Sequence, residues 1–315
     1  MPFTKFASKM LVTIGGVASF RRESSAFHPM LPPRKDLPPF KFPLEIGSTF
    51  GLFADSDRET SQRVLAACRQ QNVTFTGALV AAVTLAFYIV RQEIAGNADP
   101  DASNDDAPFR LSLDVDYNMR GRVVNPPQFA PVGMWNVFQT QGALGGEGVD
   151  LKATRFWDCA RSMKKEIDRA PANTFSMSIQ TLFLDRYFRR GAEEQFRGLS
   201  LPHPLSGDVN VSSIGRYPYA ITHSLGVDGD TTKDSIKVER FHVYNTSPII
   251  GSGATVFVSC TDAFSYSLAH KYDADVGARL LRLIVALCER VPAIDDSESM
   301  IDIARQVQAH VGTDS

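Results

Sequence analysis

Histidine is the side chain best suited to move protons near neutral pH, and this chain has six: His28, His203, His223, His242, His270 and His310. No two are adjacent. His270 and Asp273 stand three residues apart, a spacing that suits a base and its orienting carboxylate, but Asp273 as the cap of a following helix explains it without chemistry. His223 and His242 fall in β-like stretches, where a lone histidine hydrogen-bonds locally or faces water; the alternative is a base for hydrolysis. Serines are plentiful, but no Gly-x-Ser-x-Gly elbow occurs to expose a nucleophile. Gly251-Ser-Gly253 precedes a strand and opens no helix, so it fails the context test for a phosphate loop and reads as a turn.

The four cysteines, Cys68, Cys159, Cys260 and Cys288, are widely spaced and form no Cys-x-x-Cys pair. They signal neither a zinc site nor a disulfide framework and read as reduced, mostly buried thiols of a cytoplasmic protein. With 315 residues, 43% apolar and 22% charged, the chain can bury a substantial core. A formal net charge of -2 gives no electrostatic reason to expect a nucleic-acid partner. The longest apolar run, Gly77 to Val90, is shorter than the roughly 18 to 20 residues that span a bilayer and reads as a buried helix. At the N-terminus, basic residues flank a moderately apolar stretch; residues 1–22 read as a helix of the folded body, with a targeting peptide as the alternative.

The elements that would position these groups follow from periodicity. Residues 24–43 are proline-rich and predict an extended surface connector. Asp55 or Ser56 is expected to cap a helix through about Gln71, and Thr74 or Thr76 to open a second that is apolar on nearly every side. Residues 96–107, acidic and without periodicity, are expected to form a loop. Leu111, Leu113 and Val115 alternate with Ser112, Asp114 and Asp116, the pattern of a strand with one buried face. A second extended stretch runs from Met134 to Thr140, and helices are expected over 151–169 and 176–188. From Asp208 onward VNVSSI, SIKVERFHVY, ATVFVSC and FSYSLAH read as strands, with hairpins at 226–229 and near Gly251. Two helices, 275–291 and one beyond Pro292, close the chain.

In this order the segments resemble the C-terminal lobe of the chloramphenicol acetyltransferase-like superfamily, which includes peptide-synthetase condensation domains and fungal-type alcohol acetyltransferases. NVTFTGALVAAVTLAF (72–87) is similar to the family's core helix, LSLDVDYNMRGRV (111–123) to its strand ending in paired arginines, and VGMWNV (132–137) to its Gly-Asn segment. NVSSIGR (210–216) is similar to its Ser-rich strand, and FSYSLAHKYD with the helix after it to its closing strand. The resemblance implies an α/β (α+β) fold, a mixed and mainly antiparallel sheet packed with helices. It divides the chain into a residual N-lobe helix and linker (1–44), an acyltransferase-like C-terminal lobe (45–292) and a terminal helix and tail (293–315).

It also implies a function, transfer of an acyl group from a CoA or carrier-protein thioester to an alcohol or amine, with that thioester as substrate and no bound cofactor. Asn210, Ser212 and Ser213 then line the acyl pocket, Arg120 orients charge with Arg122 beside it, and Asn136 lines or braces the tunnel. Family members use a His-His-x-x-x-Asp-Gly base, and no such motif occurs in this sequence. The chain is therefore expected to begin just past its own base and to be impaired alone, and the partners it suggests are a second copy in a homo-oligomer or a completing N-terminal lobe. The competing expectation is a non-catalytic binding module or a fragment of a longer acyltransferase.

Overall fold

The computed structural model describes residues 27–37, 39–41, 49–96, 108–118, 134–139, 148–169, 200–201, 203, 205–225, 235–246 and 251–311. The expected helices near the N-terminus and over 176–188, the targeting segment, and Arg120 and Arg122 lie outside them.

Ten strands are described: β1 (Phe40–Lys41), β2 (Phe50–Asp55), β3 (Leu113–Asn118), β4 (Met134–Gln139), β5 (Ser200–Leu201), β6 (Leu205–Arg216), β7 (Thr222–Ser224), β8 (Ser235–Lys237), β9 (Gly251–Cys260) and β10 (Phe264–His270). Six of them form one sheet in the order β2-β10-β9-β6-β3-β4. β9 and β10 make a hairpin through 261–263, β2 and β4 pair antiparallel at the two edges, and β3 and β9 flank β6 in parallel. β1 with β5 and β7 with β8 form two small ribbons. The sheet is thus mixed and mainly antiparallel, as expected. In β6, the bulge after Ser213 is taken up by Gly215, whose φ of 86° suits a residue without a Cβ.

The α-helices among the described residues are α1 (Arg58–Gln70), α2 (Phe75–Ile94), α3 (Phe156–Arg169), α4 (Ala274–Arg290) and α5 (Met300–Val311). α2 is the central rod, buried continuously from Gly77 to Val90 and packed against α3 and α4. Thr74 caps it by accepting from the Gly77 amide at 3.2 Å, and inside the buried run Thr84 returns its hydroxyl to the Val80 carbonyl at 2.9 Å. Arg279 of α4 grips Glu93 at its far end through two nitrogens, at 3.1 and 2.7 Å. Among the described residues α2 is the one helix long and apolar enough to cross a membrane, longer than the apolar run suggested, and 83% of its apolar window is buried in the protein.

Five sequence expectations are corrected. Asp57, not Asp55 or Ser56, caps α1, accepting from the Thr60 amide and hydroxyl at 2.8 and 2.7 Å, because Asp55 is held at the end of β2 by Ser265. The helix expected from Leu151 starts at Phe156, since Asp150 takes the amides of Lys152 and Ala153 into a turn. SIKVERFHVY is a strand only over β8; residues 238–246 run as an irregular strap, and Gly251 opens a parallel strand, the tight hairpin falling at 261–263. The proline-rich connector is not confined to the surface, for Leu31 is buried and the Met30 amide donates to Asp208 at 2.7 Å.

Candidate functional site

Period-2 alternation gives the six-stranded sheet two chemically different faces. Leu113 and Val115, Val209 and Val211, Val256 and Val258, and Tyr266 and Leu268 point toward the helices and join the main core. The opposite parity carries Asp114 and Asp116, Asn210 and Ser212, Thr255 and Ser259, and Ser265 and Ser267. A sheet exposed on one side shows such residues to water. Here Asn210 is 6% exposed, Ser212 1% and Asp114 7%, so this is a buried polar face and its groups must satisfy one another.

The β3 and β6 portion holds two carboxyls. Asp114 lies opposite Asn210 in the parallel register, and the Asn210 Nδ2 reaches along the face to donate to Asp116 Oδ1 at 3.1 Å. Asp116 takes no other conventional hydrogen bond among the described residues. The Ser212 Oγ stands beside it, close enough to favour the carboxylate, yet closes no hydrogen bond of normal geometry and is buried without a partner.

Burial, with the Asp116 charge adding to it, pushes the Asp114 carboxyl up to about 8 against the opposing Ser252 hydroxyl. Burial also raises Asp116, opposed by Asn210 and Ser212. Asp114 thus keeps its proton at neutral pH. Nearby Asp208 is raised by burial to about 6, and the amides of Met30 and Ser112 oppose that shift at 2.7 and 2.9 Å.

The β9, β10 and β2 portion is covered by the strap. Ser259 and Thr261 donate to the carbonyls of Phe241 and Glu239, and Arg240 donates to the Ser56 carbonyl at 3.2 Å. His242 is the main clamp, its Nδ1 3.2 Å from Ser267 Oγ and its Nε2 3.3 Å from Asp55 Oδ1. Asp55 also accepts from Ser265 at 2.7 Å. Asp, His and Ser are thus in series, but Ser267 is fully buried beneath the strap. This arrangement fastens a segment; it does not present a nucleophile.

His223 and His270 offer no paired base either. His223 is exposed in the β7–β8 ribbon. His270 is buried against α4, its Nδ1 accepting from the Tyr272 amide at 3.3 Å, and burial drives it down to about 4. Asp273 occupies the cap position of α4 but makes no side-chain capping bond.

Of the residues expected to line a site, Asn210 and Ser212 lie together on the polar face. Asn136 falls in the register row of Asp116, on β4. Ser213 has the opposite parity, level with Val258 of the core, and is half-buried. The four cysteines carry no disulfide, and among the described residues no cluster of three or more metal-ligating side chains occurs. The sequence reading missed Asp114 and Asp116 as site groups. Two aspartates at i and i+2 of a strand are the available signal, and by alternation alone they read as a face open to water.

No family model matches the chain, and no curated protein does. Solved structures do. The trichothecene 15-O-acetyltransferase of Fusarium sporotrichioides is matched at 14% identity over 87% of this chain and 51% of that one, with a TM-score of 0.53. The epimerization domain from the third module of tyrocidine synthetase B is matched at 11% identity over 92% of this chain and 57% of that one, with a TM-score of 0.46. The condensation domain of the Monacolin K polyketide synthase is matched at 11% identity over 94% of this chain and 61% of that one, with a TM-score of 0.47. The chain spans little more than half the length of these structures. At such identities the likeness concerns the fold and nothing finer. The chain has the chloramphenicol acetyltransferase-like fold shared by condensation domains and acyltransferases.

Proposed function

We propose that this chain is an acyltransferase-type protein whose polar sheet face forms one wall of a cleft for a CoA or carrier-protein thioester. The observation that carries the reading is the buried hydroxyl of Ser212, unpartnered beside the Asn210–Asp116 hydrogen bond. A buried hydroxyl without a partner costs about 1 to 3 kcal/mol, a cost that a carbonyl oxygen arriving at the face would relieve. Asn210 and Ser212 are the proposed thioester-binding groups; Asn136, in the same row, and Arg120 complete the set from the family resemblance. The free cysteines accord with a reducing, cytoplasmic setting.

Acyl transfer to a neutral alcohol needs a proton acceptor, and losing a positioned one lowers the rate by about 100- to 10,000-fold. The sequence contains no His-His-x-x-x-Asp-Gly motif. Binding by this chain is therefore expected to be more robust than turnover, and a purely binding role is the competing reading that this same absence favours. Calorimetric titration with acetyl-CoA separates a thioester-binding chain from one that merely keeps the fold. Saturable binding, weakened at least about tenfold in Asn210→Ala, is expected; no heat of binding up to millimolar acetyl-CoA would remove the reading.

A further inference from the structure

We infer that Asp116 is the proton acceptor of this cleft, with Asp114 as the residue that sets its basicity. The inference rests on the thioester reading above and supplies what the histidines do not. Its basis is placement. Asp116 is half-buried, Asn210 fixes its Oδ1 at 3.1 Å, and its Oδ2 takes no hydrogen bond among the described residues. Ser212, 1% exposed and unpartnered, sits on the same face beside it. A carboxylate with one oxygen pinned leaves the other to take a proton from whatever enters the face, and the adjacent Ser212 hydroxyl, near enough to favour the carboxylate, closes no hydrogen bond of normal geometry with it.

Asp114, two residues earlier on the same strand, is more deeply buried and holds its proton to about pH 8. While it is neutral it adds no repulsion, so Asp116 can ionise; once it ionises, the second charge makes Asp116 a stronger base.

The step balances without a further reactant. The acceptor's O–H bond breaks and its proton passes to the open oxygen of Asp116. The new C–O bond forms at the thioester carbonyl, whose developing oxyanion accepts from the Ser212 hydroxyl. The C–S bond then breaks, and the departing thiolate recovers the proton from Asp116, giving an ester and a free thiol. Asp116 ends as it began.

The test uses the full chain with acetyl-CoA and 1-butanol, scoring butyl acetate by mass spectrometry and binding of acetyl-CoA by calorimetry. Expected are slow ester formation, a loss of at least about 100-fold in Asp116→Asn, and acetyl-CoA binding within about twofold of the parent protein. In Asp116→Ala, added formate should restore ester formation in proportion to its concentration, which a merely structural role does not allow. In Asp114→Asn, the pH profile should lose its inflection near pH 8 while transfer persists. Acetyl-CoA binding without ester formation, or ester formation that survives in Asp116→Asn, overturns the inference and leaves the thioester reading standing. Absence of acetyl-CoA binding takes down both.

Discussion

The side-chain amide of Asn210 donates to Asp116 across 3.1 Å, joining strands whose residues are 94 positions apart. Buried polar pairs of this kind are asymmetric in energy: the intact bond contributes little, whereas removing the donor leaves a half-buried carboxylate without its partner. Asn210→Ala is expected to lower unfolding free energy by about 1 to 3 kcal/mol, measured by urea denaturation. Asn210→Asp sets a third carboxyl against Asp114 and Asp116, so its loss should be larger at pH 8 than at pH 5. Equal losses at the two pH values would mean that the face is not a coupled set of carboxyls.

Asp114 gives the fold a signed pH dependence. Its carboxyl is raised from 3.8 to about 8, so the folded state keeps a proton that the unfolded chain releases. Its contribution is therefore most favourable below the unfolded value, declines as pH rises through roughly 4 to 8, and is level above that. Buried His270, lowered to about 4, acts in the opposite sense between there and 6.5, and Lys271, lowered to about 8, does so between there and 10.5. The difference between parent and Asp114→Asn isolates the carboxyl. The parent should lose ground to the variant as pH increases from 4 to 8, and a flat difference would contradict the buried, protonated Asp114.

Gly277 marks where α4 meets the sheet. A Cβ at this position would collide with the ring of His270, which is itself fully buried. The usual gain of about 0.5 to 1 kcal/mol for Gly→Ala in a helix is thus expected to reverse, with a net loss near 2 kcal/mol by thermal or urea unfolding. Stability equal to or above that of the parent would show that β10 and α4 are not packed this closely.

The strap over 238–246 has a separate test. It is tied to the sheet largely by side chains, with His242 bridging Asp55 and Ser267. His242→Ala should increase amide exchange across the strap while leaving α2 protected. Unchanged exchange would mean that Arg240, Ser259 and Thr261 hold the segment without it.

Much of the frame was legible because it is local. α2 announces itself through a threonine cap and an apolar run with no polar side, and α1 ends where Asn72, at a φ of 55°, accepts the left-handed turn that closes a helix. The Val73 amide to the Cys68 carbonyl at 2.9 Å completes that closure. β9 and β10 were equally plain from their branched and aromatic residues.

The candidate site was legible only in part. Asn210 and Ser212 stood out through a family resemblance. Asp114 and Asp116 read as the wet half of an alternating strand, because the groups that bury and pair them come from the distant strands β6 and β9. The strap misled for a related reason: SIKVERFHVY has strand composition throughout, but after the Val238 amide bonds to the Ile221 carbonyl it is held by bonds that involve side chains, from His242 to Asp55 and Ser267, from Ser259 and Thr261 to its carbonyls, and from Arg240 to the Ser56 carbonyl, rather than by a backbone ladder.

Localising thioester contact bears on the central claim most directly, by peptide-resolved amide exchange of the full chain with and without acetyl-CoA. Slowed exchange concentrated in peptides covering Ser112–Asn118 and Asp208–Ser213, abolished in Ser212→Val, is the predicted result. Protection confined to other segments, or no protection at millimolar acetyl-CoA, would contradict it.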